Sequence, residues 1–336
     1  MTTRAVTDRV RPSRPAIAVI AVVLLLALAM LLAVCVGSTV VSPLALLTGR
    51  LSDVDAEVIL QLRLPRVLLA ALVGGMLSQA GAAYQGVFRN PLADPYLLGA
   101  AAGAGLGATA MIVLARGTFA VAVPIGAFVG AMIGVGSAYV LGRAASRTGG
   151  TAALLLAGLA STAFFTAVQT ALLQAHNSDL LQVTAWILGQ LGTASWDSLG
   201  LIAPYAAVAA VLLAFAGRWL DVLSVGDDEA ASLGLRPERV RFAILLAASL
   251  STAAAVSAAG LIGFVGLVVP HILRRLAGTS YRLLLPLSLF GGSIFLVLSD
   301  LLSRTALYPA EIPIGVVTAF VGAPFFAFLL LVGNRQ

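Results

Sequence analysis

Long stretches of this chain carry no charged side chain: 15–49, 67–88, 95–115, 117–142, 148–178, 198–217, 242–270, 283–299 and 312–334. That pattern constrains the fold more than any motif. A bilayer core of about 30 Å needs roughly 20 apolar residues per helical crossing. An arginine at its centre costs about 2.5–3.5 kcal/mol on insertion scales, so charges collect at span ends. With 10 % charged residues and a mean hydropathy of +1.04, the chain has too little polar surface to cover a water-facing globule. The expected fold is all-α and polytopic, in contact with the lipid bilayer.

Two of these stretches need interpretation. The first, 15–49, exceeds one span, and "GSTVVSP" reads as a turn after a helix at about 16–36. The stretch from Phe242 to Leu273 is long for one span and short for two, and "SAAGLIGFVGLVVP" breaks it with glycines and a proline. It reads as a full span, a reversal near Gly260, and a short second crossing ending at Pro270. That gives about ten helices with both termini inside, a cytoplasmic tail at 1–15, one membrane domain at 16–334 and an inner loop at 218–241. On this count 15 arginines fall inside and five outside, the bias expected of cytoplasmic loops. A single crossing at 242–273 would put Arg274, Arg275 and Arg282 outside.

Composition also limits the chemistry. All 20 basic residues are arginine, so a phosphate loop of the GxxxxGK[ST] type and Schiff-base catalysis are excluded. One cysteine, Cys35, rules out an internal disulfide. His176 and His271 lie far apart without a carboxylate cluster, so no metal site is expected. The +6 charge follows from topology and calls for no nucleic acid.

Glycines at 99, 103 and 107 and at 126, 130 and 134 recur every fourth residue, which places each set on one helix face for close packing. "AGAAYQGVFRNP" (80–91) and "AGLIGFVGLVVP" (259–270) share a glycine ten residues before a proline, a faint internal repeat. Asp300 and Arg304, four apart, can pair on one face near an outer helix end. Span interiors otherwise hold almost no carboxylates, so the chain lacks an evident coupling-ion site. Energy is expected from a partner.

The segment "GDDEAASLGLRPERVR" (226–241) lies on the inner side by this count. Asp227, Asp228 and Glu229 favour the positive end of a short helix. Ala230 and Leu233 offer a small apolar face, Gly234 suits a left-handed stop, and Pro237 suits a helix start. Such an element fits a partner's cleft, or is a solvated loop.

"RLPRVLLAALVGGMLSQAGAAYQGVFRNPLADPYLLGAAAGAG" (63–105), "AGLIGFVGLVVPHILRRL" (259–276) and "LSDLLSRTALYPAEIPIGVVTAFVGAPFFAFLLL" (298–331) resemble the FecCD family of ABC importer permeases. That family serves iron–siderophore, haem and vitamin B12 uptake. The resemblance implies a type II importer permease in the bacterial inner membrane. It implies a homodimer with alternating access at its axis, two ATP-binding cassette subunits inside and a substrate-binding protein outside. ATP and magnesium would sit on those ATPase subunits; this chain would bind no cofactor and catalyse no bond change. Carried over by position, Arg63, Arg66 and Arg304 would meet acidic residues of the binding protein. Gly226, Asp227, Asp228, Glu229, Ala230, Leu233 and Gly234 would form the coupling segment. Arg89, Asn90 and Pro91 form a helix stop. Thr151 aligns near an inner gate where family members carry adjacent hydroxyls, whereas here Ala152 follows it. Thr162, Gln169 and Gln85 either line the pathway or tie helices together. His176, near Trp186, is a candidate haem contact at the pathway mouth. The alternatives from other classes are a self-sufficient ion-coupled carrier and an integral membrane enzyme.

Overall fold

The computed structural model describes residues 14–37, 41–49, 51–115, 121–145 and 151–333. The helices are α1 (Arg14–Cys35), α2 (Pro43–Leu47), α3 (Asp53–Glu57), α4 (Leu64–Phe88), α5 (Ala100–Ala115), α6 (Ala122–Ala145), α7 (Thr151–Ala175), α8 (Leu180–Ile187), α9 (Trp196–Val225), α10 (Asp227–Ser232), α11 (Pro237–Ala259), α12 (Val265–Ala277), α13 (Tyr281–Thr305) and α14 (Ile314–Gly333). A π-helical turn, Val58–Arg63, leads into α4. Among the described residues there is no strand.

Seven of these helical runs are long and apolar enough to cross a membrane, and Ala100–Leu114 and Ile314–Phe328 are shorter apolar helices. Helix α4 forms the axis of the bundle. From Val73 to Phe88 every one of its residues is buried, and α9, α11, α12 and α13 pack around it. Its glycines make this possible. A β-carbon on Gly81 would lie 2.0 Å from the Gly266 carbonyl of α12, and one on Gly74 would lie 2.3 Å from the Gly292 carbonyl of α13. Lipid tails are as apolar as leucine, so such close approach, rather than hydrophobic exclusion, holds membrane helices together.

The reversal expected near Gly260 is present. Helix α11 ends at Ala259, Gly260 takes φ 73°, Phe264 takes φ 68°, and α12 begins at Val265. Irregular backbone inside an apolar bundle survives only where protein satisfies its polar groups. Tyr96 does so here: its hydroxyl donates to the Ile262 carbonyl at 3.1 Å and accepts from the Ile262 amide at 3.2 Å. At 13 residues, α12 is too short to span alone.

The internal repeat does not survive as structure. Residues 80–88 continue α4 without a break, whereas 259–270 comprise a helix end, an irregular link and a new helix start. The two segments share a contact, Gly81 on Gly266, and not a conformation.

Candidate functional site

Three polar features interrupt the apolar bundle: a cluster at the N-terminal end of α4, a second at its C-terminal end, and a stripe along α7.

At the N-terminal end of α4, Arg63, Arg66 and Arg304 are brought together, but none presents an exposed fork. Arg63 is buried and donates to the carbonyls of Val34 (3.0 Å) and Cys35 (3.3 Å), and Arg304 donates to that of Ala33. These are the final carbonyls of α1, which lack partners within their own helix. Cations at a helix C-terminus also suit its negative dipole end. Arg66 is largely enclosed; its Nε donates to Asp300 at 2.9 Å and its two terminal nitrogens hold Glu311 in a fork, each at 2.9 Å. Asp300 also faces Arg304 Nε at 3.5 Å, the pair expected from their spacing. Arg66 and Glu311 are missing from that expectation because 245 residues separate them and only the fold brings them together. Beside them a half-open cleft of about 210 Å³ is lined in part by Arg66, Gln190, Gly192, Ser303 and Glu311.

At its C-terminal end, α4 stops as "RNP" predicts. Arg89 takes the left-handed conformation (φ 48°), and the Asn90 side chain accepts from the Leu92 amide at 2.9 Å. The acidic segment forms α10, Pro237 opens α11, and Gly234 has φ 84°, a backbone state that favours glycine. Asp227 is exposed like its neighbours but is bound back to the chain. Arg241 grips it with two bonds of 2.7 and 2.5 Å, and Arg89 pairs with it as well. Ala230 and Leu233 do not share an exposed face as the spacing suggests. Ala230 is fully buried against the chain, while Leu233 is 72 % exposed beside Asp228 and Glu229.

Nearby, the Gln85 amide donates to the Gly266 carbonyl at 3.3 Å, and its oxygen accepts from Arg274 at 3.1 Å. Gln169 is buried and donates to Thr109 of α5 at 3.0 Å. Both glutamines therefore tie helices and do not face an open path in this chain. Thr162 is half-buried, Thr151 opens α7 with its side chain outside the described structure, and His176 Nδ1 lies 3.1 Å from the Leu172 carbonyl. Trp186 is buried.

The structure shows a further polar stripe on α7. Thr166, Thr170 and Gln174 are exposed, and with Thr162 they recur every fourth residue along one face of α7. Four-residue spacing was legible in the sequence; only exposure shows that Thr166, Thr170 and Gln174 are left uncovered among the described residues.

The clusters at the two ends of α4 share an electrostatic property. The Arg241 hydrogen bonds hold the Asp227 carboxyl below its ordinary 3.8, and the Arg66 fork holds Glu311 below its ordinary 4.5. A depressed carboxyl contributes fully above its ordinary value and loses that contribution as pH falls through the lower folded value. The protection factors of amides in α10 and in the 306–313 loop, taken relative to the pH-dependent intrinsic exchange rate, are therefore expected to be unchanged from pH 8 to pH 5 and to fall only in stronger acid.

A bundle of apolar helices with a bound acidic element at one end and a carboxylate–guanidinium cluster at the other describes a multi-span membrane protein. The profile of the FecCD transport family matches residues 24–332. The chain belongs to that family. It is 41 % identical over 270 residues to a cobalamin import system permease protein of Halobacterium salinarum, covering 80 % of this chain and 72 % of the relative. It is 38 % identical over 288 residues to a hemin transport system permease protein of Yersinia pestis, covering 85 % and 86 %. It is 35 % identical over 328 residues to an Fe(3+)-citrate import system permease protein of Bacillus subtilis, covering 97 % and 98 %. Among solved structures, an inward-facing metal-chelate type ABC transporter superposes with a TM-score of 0.85 at 28 % identity, covering 94 % of this chain and 99 % of that one.

Proposed function

We propose that this chain is the membrane subunit of an ATP-driven importer for a bulky metal chelate, a ferric siderophore, haem or cobalamin, in a bacterial inner membrane. The observation that carries the reading is α10. It is a six-residue helix standing outside the bundle, with Asp228, Glu229 and Leu233 exposed and Asp227 bound back to the chain. Such an element suits the cleft of an ATP-binding cassette subunit, where ATP and magnesium would bind. Two copies of the chain would enclose the pathway, each crossing ten times with both termini inside. The exposed Thr166, Thr170 and Gln174 face favours this arrangement, since polar groups turned to lipid are costly. Alternating access then needs no bond change in this chain. The ion-coupled alternative is weaker: Asp300, the carboxylate nearest a span interior, is already held by Arg66 and Arg304.

Purified chain in vesicles tests the reading. Uptake should require both ATP and the ATPase subunit; uptake by the chain alone under a proton gradient would sink it.

A substrate-binding protein would dock at the outer end, and its acidic residues would reach Arg66 by exchanging with Glu311. Arg66→Gln is expected to weaken that association by about a hundredfold, the loss of one bidentate charge-assisted pair. Because Arg66 also braces α13 through Asp300, association should be measured by surface binding at low salt below the variant's melting temperature. Unchanged affinity would move the docking site elsewhere.

A further inference from the structure

Arg89 is an unusual residue for its position. Helix α4 closes on it at φ 48°, ψ 37°, a conformation glycine adopts freely and a β-carbon opposes. Its side chain offers a reason for its presence there. The Arg89 Nε donates to the Leu223 carbonyl at 2.8 Å, in the last turn of α9, and a terminal nitrogen pairs with Asp227 at the start of α10. Arg241, in the first turns of α11, grips the same carboxylate with two bonds. One carboxylate thus joins α4 and α11 to its own helix, and Arg89 adds a bond to α9.

The pairing is poorly placed to stabilise the fold. Asp227 is 47 % exposed and Arg89 39 %, and ion pairs at such exposure contribute little. It is well placed to hold a geometry. The exposed Asp228 and Glu229 of α10 and Leu233 just after it take no part in the clamp, whereas Asp227 is bound by the arginines and Ala230 is buried. One side of α10 is open to a partner and the other is bound to α4, the axis around which the bundle packs. We propose that Arg89 and Arg241, acting through Asp227, are positioning residues that carry movement of α10 into α4 and α11, so that nucleotide-driven motion reaches the pathway. The inference rests on an ATPase docking at α10, as argued under Proposed function.

The test uses the chain co-purified with its ATPase subunit in nanodiscs, with a reporter cysteine replacing the exposed Thr166 of α7. Maleimide labelling is timed with and without ATP and vanadate. In the wild-type background the two rates should differ. Arg89→Gly relieves the left-handed strain and removes the link. It is expected to keep the ATPase subunit bound and hydrolysing ATP while the nucleotide-dependent change in labelling falls about tenfold, within the usual range for coupling between sites. Arg89→Asn, which also tolerates this backbone, should behave alike, and Arg89→Lys should recover part of the response. If Arg89→Gly and Arg89→Asn respond to nucleotide as the wild type does, Arg89 is only a helix cap and the proposal fails. If the ATPase subunit does not co-purify with the wild-type chain, the docking reading fails and takes this link with it; pull-down separates that result from the first.

Discussion

Leucine in place of Gly107 will prevent a stable bundle from forming, whereas alanine in place of Gly136 will raise stability. Both residues lie on apolar helices of the same pair, yet they meet opposite surroundings. A β-carbon on Gly107 would sit 2.0 Å from the Gly126 carbonyl oxygen and 2.7 Å from its carbon. The obstacle is backbone, which cannot rotate away as a side chain can. The same contact repeats along the seam, with Gly103 against Gly130 at 2.2 Å, so one helix cannot tilt to clear a single site without meeting the next. Overpacking a core costs about 1–3 kcal/mol, and more when backbones must part. Gly136 has nothing within 4 Å of a β-carbon. There, alanine brings only its helix propensity, about 1 kcal/mol. Melting in detergent, followed by size exclusion, should show Gly107→Leu aggregated or shifted down by many degrees, and Gly136→Ala level or higher. Equal behaviour of the two would mean that α5 and α6 are not in backbone contact.

That contrast also marks what sequence could disclose. The ladders at 99, 103, 107 and at 126, 130, 134 announced two flat faces, and the structure sets these faces against each other. The break near Gly260, the stop at Arg89 and the left-handed Gly234 were legible because glycine and proline act locally. The partners of charged residues were not. Arg66 meets Glu311, and Arg89 meets Asp227, across 245 and 138 residues, and no periodicity encodes such distances. Arginines on the outer side looked available because span counting places a residue along the membrane normal and says nothing about what surrounds it. The same gap explains the glutamines: Gln85 and Gln169 could have faced a path or a neighbour, and only the helix packing shows that each faces a neighbour.

Alanine at Asp300 should cost far more than glutamine at Glu311, although both carboxylates bind the same guanidinium. Asp300 is 1 % exposed and stands between Arg66 Nε and Arg304 Nε, so its loss leaves two enclosed cations facing each other with their shared counter-ion gone. Breaking a buried pair in this way costs about 3–5 kcal/mol. Glu311 is half exposed, and removing its charge should cost about 0–1 kcal/mol, as for surface pairs. Thermal melting of the two variants tests the stability difference, and transport separates two meanings of Asp300. As the structural pin of α4, α13 and the end of α1, it should give an Asp300→Asn protein that melts early yet, when kept cold and assembled with its partners, still moves cargo with ATP. As the proton site of an ion-coupled carrier, it should give a protein of near-normal stability that moves nothing. An Asp300→Asn chain that melts with the wild type and fails to transport would therefore overturn both the pin and the ATP-driven reading.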